Sequence, residues 1–262
     1  LSDLWRIIMH SDKKDFYDKN GYVILEKIFS DEEAEFFNKC VRRHANKSFA
    51  ALINPDRYES LLEQDERPKS DITLSEIQET STLARSIMTD ERMVSLLDIF
   101  HGKKTIGLSS QFIFKEAYSD YSSQAWRPHQ DNFYPKNKNA AYITLNWFLK
   151  DADKENGTIY CYPGSHKLGL LPAENNISFR EKVGDNPGSE CDIPQDFKDK
   201  KTDIIIPANS IVILNGNCIH GSYPNNSNRS RPWYSSCYIS EGEEFFVGKS
   251  SKREKIDLRQ KN

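Results

Sequence analysis

The hydrophobic positions of this chain follow two periods, and the change between them falls near residue 103. In the first hundred residues apolar side chains recur every three or four places, the spacing of one helix face. "FSDEEAEFFNKCVRRH" sets Ser30 three places before Glu33, a capping-box pattern, and then runs apolar at Ala34, Phe37 and Val41. "TDERMVSLLDIF" predicts a second helix that stops at Gly102. Between Asp12 and Glu26, "DFYDKNGYVILE" predicts a short helix closed by Gly21 and followed by one strand. From about Lys103 the period becomes two. "TIGLSSQFIFK", "AAYITLNWFL", "GTIYCY", "TDIIIP", "SIVILNG" and "RPWYSSCYIS" read as strands separated by Gly, Pro, Asn and Asp. Helices first and strands afterwards predict an α+β, mainly β fold: a β-sandwich or jelly roll backed by N-terminal helices, built as one domain.

The expected organisation is helical support over 1–102, a jelly-roll core over 103–240 and a polar tail over 241–262. Residues 170–201 are polar and irregular. A loop of that length inside a core is usually functional, so it reads as a lid or a mobile insert.

Side chains two apart on a strand share a face. In "SQFIFK" this puts Phe112 and Phe114 on one side, suited to packing against helices, and Gln111, Ile113 and Lys115 on the other. In "YITLNWF" it separates Ile143, Leu145, Trp147 and Leu149 from Tyr142, Thr144, Asn146 and Phe148. The mixed polar and aromatic faces fit either a polar pocket inside a barrel or strands that meet water on one side.

Composition narrows the partners. The 262 residues are 37% hydrophobic and 29% charged, with a net charge of -3, so no basic excess is available for nucleic acid. No apolar run approaches the roughly 18 residues of a membrane span. The five cysteines are scattered and form no C-x-x-C pair, which points to a reducing, cytoplasmic setting. The chain begins at Leu1 without a methionine, which leaves room for a leader trimmed from its front.

Chemistry concentrates in "RPHQDNFYP". His129 and Asp131 stand two apart and present an imidazole and a carboxylate to one point. A histidine from a neighbouring strand would complete the 2-His-1-carboxylate triad that suits non-haem iron(II) and leaves one octahedral face open. Among six histidines the candidate is His220, in "NCIHGSYPNNSNRSRPW". His10, His44 and His101 lie in the helical part, and His166 in the turn "PGSHK" reads as a loop anchor. Arg231 follows His220 by eleven residues, and a guanidinium is a ready fork for a carboxylate. Ser222 is placed to donate a hydroxyl to the same group. The rival readings are a metal-binding domain without catalysis and a zinc hydrolase with the same three ligands.

"RPHQDNFY", "DADKENGTIYCYPGSHKLG" and "IHGSYPNNSNRSR", together with the opening "FYDKNGYVILEKIFSDEEAEFF", resemble the phytanoyl-CoA dioxygenase family of iron(II)/2-oxoglutarate oxygenases over roughly residues 13 to 240. The resemblance implies a double-stranded β-helix, cupin-like core, with Fe(II), 2-oxoglutarate and O2 as cofactor and cosubstrates. It makes His129, Asp131 and His220 the iron ligands and Arg231 the clamp on the distal carboxylate of 2-oxoglutarate, helped by Ser222 and Lys115. Gln130 matches a glutamine that binds cosubstrate in some members, and Thr144 is added from its inward face. "KEA" (115–117) stands where the family often has K-P-P, which changes the local loop and keeps the lysine. The implied reaction oxidises a C–H bond, most simply to an alcohol, with desaturation or ring closure as variants. Halogenating relatives lack the carboxylate, so Asp131 points away from halogenation. Gln111, Trp126, Asn132, Phe133 and Tyr134 flank the proposed iron and are the expected substrate contacts. The expected substrate is a small polar metabolite such as an amino acid or amine. The basic tail "GKSSKREKIDLRQKN" is either a phosphate contact for an acyl-CoA or a solvated terminus.

Overall fold

Gly21 lies at φ +81, the left-handed conformation that ends helix α1 (Asp3–Asn20) and turns the chain into strand β1 (Tyr22–Glu26). In this computed structural model the described residues are 3–53, 73–75, 77–118, 120–123, 125–175, 189–247 and 253–260. The helix is longer than its sequence signal, which begins only near Asp12. The capping box forms as expected. Glu33 N–H donates to Ser30 Oγ at 3.2 Å and Ser30 N–H to the Glu33 carboxylate at 2.7 Å, opening α2 (Asp31–Ile53). Strand β2 (Thr73–Ser75) and the short helices α3 (Ile77–Thr80) and α4 (Thr82–Met88) precede α5 (Glu91–His101), which Gly102 caps at φ +68.

The strands that follow are β3 (Thr105–Lys115), β4 (Trp126–His129), β5 (Tyr142–Phe148), β6 (Ile159–Cys161), β7 (Glu174–Asn175), β8 (Ser189–Glu190), β9 (Thr202–Asp203), β10 (Ser210–Asn215), β11 (His220–Ser222) and β12 (Arg231–Ser240). Two antiparallel sheets face each other, a six-stranded one ordered β1-β10-β5-β12-β3-β2 and a four-stranded one ordered β4-β11-β6-β9. From β3 to β6 and again from β10 to β12 the chain alternates between the sheets, which is the double-stranded β-helix.

Alternation along the strands decides what each face holds. Phe112, Phe114, Ile143, Leu145 and Trp147 point outward from the large sheet into the helices, where Phe37 stacks on Trp147 at 5.0 Å. The opposite faces of the same strands point between the sheets. At one end Phe148, Ile159, Cys161, Val212 and Trp233 close the interior as a second apolar cluster. Farther along β5, Asn146, Thr144 and Tyr142 line a cavity instead. The polar faces therefore meet a pocket.

The expected polar tail is corrected by the structure. Ile256 pairs with Gly107 at the start of β3, and Leu258 is buried in the helix-side core. The alternating apolar residues of "KIDL" carry this packing, and the surrounding charges mask it in the sequence. Within the irregular stretch 170–201, Leu171, Ala173, Ile193 and Phe197 pack on Tyr160, Tyr162 and Ile219. The middle of that stretch, 176–188, lies outside the described residues.

Candidate active site

β4 and β11 are antiparallel neighbours in register His129 to His220, so the two imidazoles face each other with ring centroids 4.3 Å apart. β4 ends at His129, and a 3-10 turn over Asp131–Phe133 swings Asp131 back under the rings. Asn132 secures that turn: its carboxamide accepts from Asn137 N–H at 2.9 Å and donates to Asn137 O and Asn217 Oδ1, each at 2.8 Å. Gly221 lets β11 pass between its neighbours, because a Cβ there would come within 2.4 Å of Trp126 O and the Tyr160 hydroxyl.

The rings are held in one tautomer. His129 Nδ1 lies 2.7 Å from Arg127 O and His220 Nδ1 3.0 Å from Cys218 O. A carbonyl only accepts, so each Nδ1 carries the proton and each Nε2 presents a lone pair. Those lone pairs face the Asp131 carboxylate at 3.5 and 3.6 Å. The three ligand atoms lie within 4.8 Å of one another. Burial pushes His220 down toward its neutral form. Burial also raises the Asp131 carboxyl, but the two imidazoles in their protonated forms and the Thr144 hydroxyl, 3.0 Å away, more than offset it and hold it well below the usual range. Three Lewis bases aimed at one point repel each other unless a cation sits among them. The donor set fits a divalent metal with oxygen and nitrogen preference.

The triad lies on the wall of a cavity of ≈ 480 Å³. Of the residues singled out in the sequence, Gln111, Trp126, Tyr134, Thr144 and Ser222 line it. Lys115 and Arg231 are paired across β3 and β12 and both are fully buried. Lys115 Nζ donates to Ser222 Oγ at 3.2 Å and Tyr223 O at 2.5 Å. Burial first, and the neighbouring Arg231 second, push its ammonium well down. Arg231 does not line the cavity. Its guanidinium lies 3.7 Å from the centre of the Trp233 ring, behind that side chain, while Trp233 Nε1 is buried with no hydrogen-bond acceptor and its ring lines the wall. A buried guanidinium, the adjacent lysine amine, a hydroxyl and an indole N–H make a donor set that fits an organic carboxylate.

Three expectations are corrected. Gln130 turns away: its amide donates to Gly169 O and Asn217 O and accepts from Leu171 N–H, tying the loops behind the site together. Strand alternation against His129 sends it there. Asn132 is spent on the turn described above, and Phe133 packs edge-on against Tyr134 outside the cavity. Asn146, on the polar face of β5, lines the cavity as that face allows, and Ser109, Trp233 and Ser235 line it outside the expected set. The same period of two that selected Gln111 and Thr144 would have found them. Phe246 and Arg253 also reach the wall, from a segment with no strand signal.

The profile of the phytanoyl-CoA dioxygenase (PhyH) family matches residues 17–233. The chain is 24% identical over 257 residues to a phytanoyl-CoA dioxygenase of Arabidopsis thaliana, covering 86% of each. It is 26% identical over 216 residues to a probable alpha-ketoglutarate-dependent hypophosphite dioxygenase of Stutzerimonas stutzeri, covering 82% of this chain and 73% of that one. In fold it is similar to the epimerase SnoN, solved with Fe3+, alpha ketoglutarate and nogalamycin RO, at a TM-score of 0.69 and 16% identity over 97% of both chains. With the family profile spanning most of the sequence and the His-Asp-His cluster in place on its cavity, the chain belongs to the phytanoyl-CoA dioxygenase family of iron(II)- and 2-oxoglutarate-dependent oxygenases.

Proposed function

We propose that the enzyme hydroxylates a C–H bond of a small polar metabolite, with His129, Asp131 and His220 holding ferrous iron. The observation that carries this is the convergence of two Nε2 lone pairs and a carboxylate on the cavity wall. Iron and 2-oxoglutarate, when bound, supply the oxidising power, with the keto acid consumed to succinate and carbon dioxide. The protein supplies geometry. Arg127 O and Cys218 O each accept the hydrogen bond from Nδ1–H, so that Nε2 of both rings is the atom turned to the metal position, and Thr144 holds one Asp131 oxygen in place. Ser222 meets the distal carboxylate of 2-oxoglutarate on the cavity wall, with Lys115 bonded behind it and the Arg231 guanidinium behind Trp233 supplying positive charge. Trp126 and Tyr134 shield the site from water, while Ser109, Gln111, Asn146 and Ser235 give the cavity its polar character.

The five cysteines are all free thiols, which supports a reducing, cytoplasmic setting, and no described helix is long and apolar enough to cross a membrane. The test is succinate release from 2-oxoglutarate with Fe(II), screened against a metabolite library. Stimulation by a compound that gains one oxygen atom supports hydroxylation. A product that only loses hydrogen moves the enzyme to desaturation or ring closure, and iron-independent release sinks the reading.

A further inference from the structure

Outside the metal triad, the described cavity wall carries one other charged side chain, Arg253. It belongs to the residues after β12, among which Phe246 N–H donates to Pro135 O at 2.6 Å and Ile256 pairs with Gly107. Arg253 is half-buried. Its Nε is buried without an acceptor, and Nη1 reaches only Val247 O at 3.4 Å. Its guanidinium lies 6.0 Å from the Tyr134 ring. Among the described residues no carboxylate pairs with it. By contrast Arg42, Arg92, Arg127, Arg229 and Arg259 pair with Glu116, Glu33, Glu190, Asp153 and Asp98. A guanidinium without a counter-charge on a cavity wall is placed to pair with an incoming anion.

Its place along the cavity says which anion. The inner face of β5 reads Phe148, Asn146, Thr144, Tyr142. Arg231 lies 5.7 Å from the Phe148 ring, Thr144 is bonded to Asp131, and Arg253 lies toward Tyr142. Ile256, three residues after Arg253, pairs with Gly107, which faces Tyr238 beside the Tyr142 end of β5, whereas Arg231 faces Lys115 at the other end of the same strands. From 148 to 142 is six residues, about 20 Å of strand. The two arginines therefore sit at opposite ends, with the metal triad between them. One end is taken by the proposed 2-oxoglutarate contacts.

We propose that Arg253 binds a carboxylate of the substrate and sets the substrate class as small organic acids, amino acids included, rather than amines. This rests on the oxygenase reading above for its assignment of the opposite end to 2-oxoglutarate. A guanidinium forks onto a carboxylate through two N–H groups, repels an ammonium, and offers a neutral amide a hydrogen bond to one oxygen without the opposite charge.

The test uses the full chain loaded with Zn(II) and 2-oxoglutarate, which binds without turning over. Short-chain and arylalkyl acids are titrated beside their primary amides and amines of equal carbon skeleton, with affinity read from ligand-induced melting shifts. Acids are expected to bind about tenfold or more tightly than their amides, with amines weakest. Arg253→Gln is expected to erase that order and Arg253→Lys to restore part of it, each checked for its own melting temperature. Acids that bind no better than amides, or do not bind at all, overturn the proposal. So does an acid preference that survives Arg253→Gln. Iron-dependent succinate release by the unaltered enzyme, without added substrate, tests the oxygenase reading separately. Its absence beside an intact acid preference sinks that reading, and the reverse result sinks Arg253.

Discussion

Thr144 touches the same Asp131 oxygen that faces His220, so one hydroxyl helps set the position of a proposed metal ligand. Thr144→Val keeps the shape and removes the donor. Metal affinity is expected to fall about tenfold, a typical loss for a hydrogen bond behind a ligand, measured by anaerobic Co(II) or Fe(II) titration. Asp131→Ala removes a ligand itself, and iron-dependent succinate release is expected to drop by at least roughly two orders of magnitude. Equal affinities in Thr144→Val and the unaltered enzyme would show that the bond does not hold the carboxylate. At this scale the sequence spoke clearly wherever the pattern was local. His129 and Asp131 share a nine-residue stretch, and the outward turn of Gln130 follows from alternation. Asn132 was misread because β4 ends at His129, and past a strand's end the period of two no longer tells where a side chain points.

Among elements, the N-terminus of α2 was readable because its capping box joins residues three apart. Ser30→Ala is expected to cost about 1 kcal/mol, seen as a lower urea midpoint at unchanged slope. β11 is the opposite case. Nothing in "IHGSY" states that its glycine must pass within 2.4 Å of Trp126 O and the Tyr160 hydroxyl. Gly221→Ala is expected to destabilise by about 3 kcal/mol or more, and to weaken metal binding because β11 carries His220. A variant with native stability and native affinity would mean that the strands can part without cost. The 253–260 segment was misplaced for a related reason: two apolar residues among charges are too few to register as a strand until β3 offers them a partner.

For the molecule as a whole, acid stability should report on a histidine that has nothing to do with metal. His101 closes α5 and is held by Thr105 Oγ1 at 2.7 Å and Ala141 O at 2.9 Å, and burial pushes it down to about 4. The folded value lies below the unfolded one of about 6.5, so the neutral form is the one the fold favours. Its contribution is complete above pH about 6.5, drains away as pH falls toward about 4, and amounts to at most about 3 kcal/mol. Urea unfolding at pH 7 and pH 4.5 measures the difference, and His101→Gln, which keeps a donor for Ala141 O, is expected to shrink it. An undiminished difference in that variant assigns the acid loss elsewhere. The sequence by itself determined the helical front, the strand-rich core and the His129–Asp131 pair of the proposed metal site, because period, caps and short motifs act between residues a few places apart. Only the tertiary structure decided that the polar strand faces meet a cavity rather than water, that Arg231 lies behind Trp233, and that Arg253 reaches the wall. Those outcomes depend on which surfaces come together after the chain has closed, and no spacing along it encodes such distances.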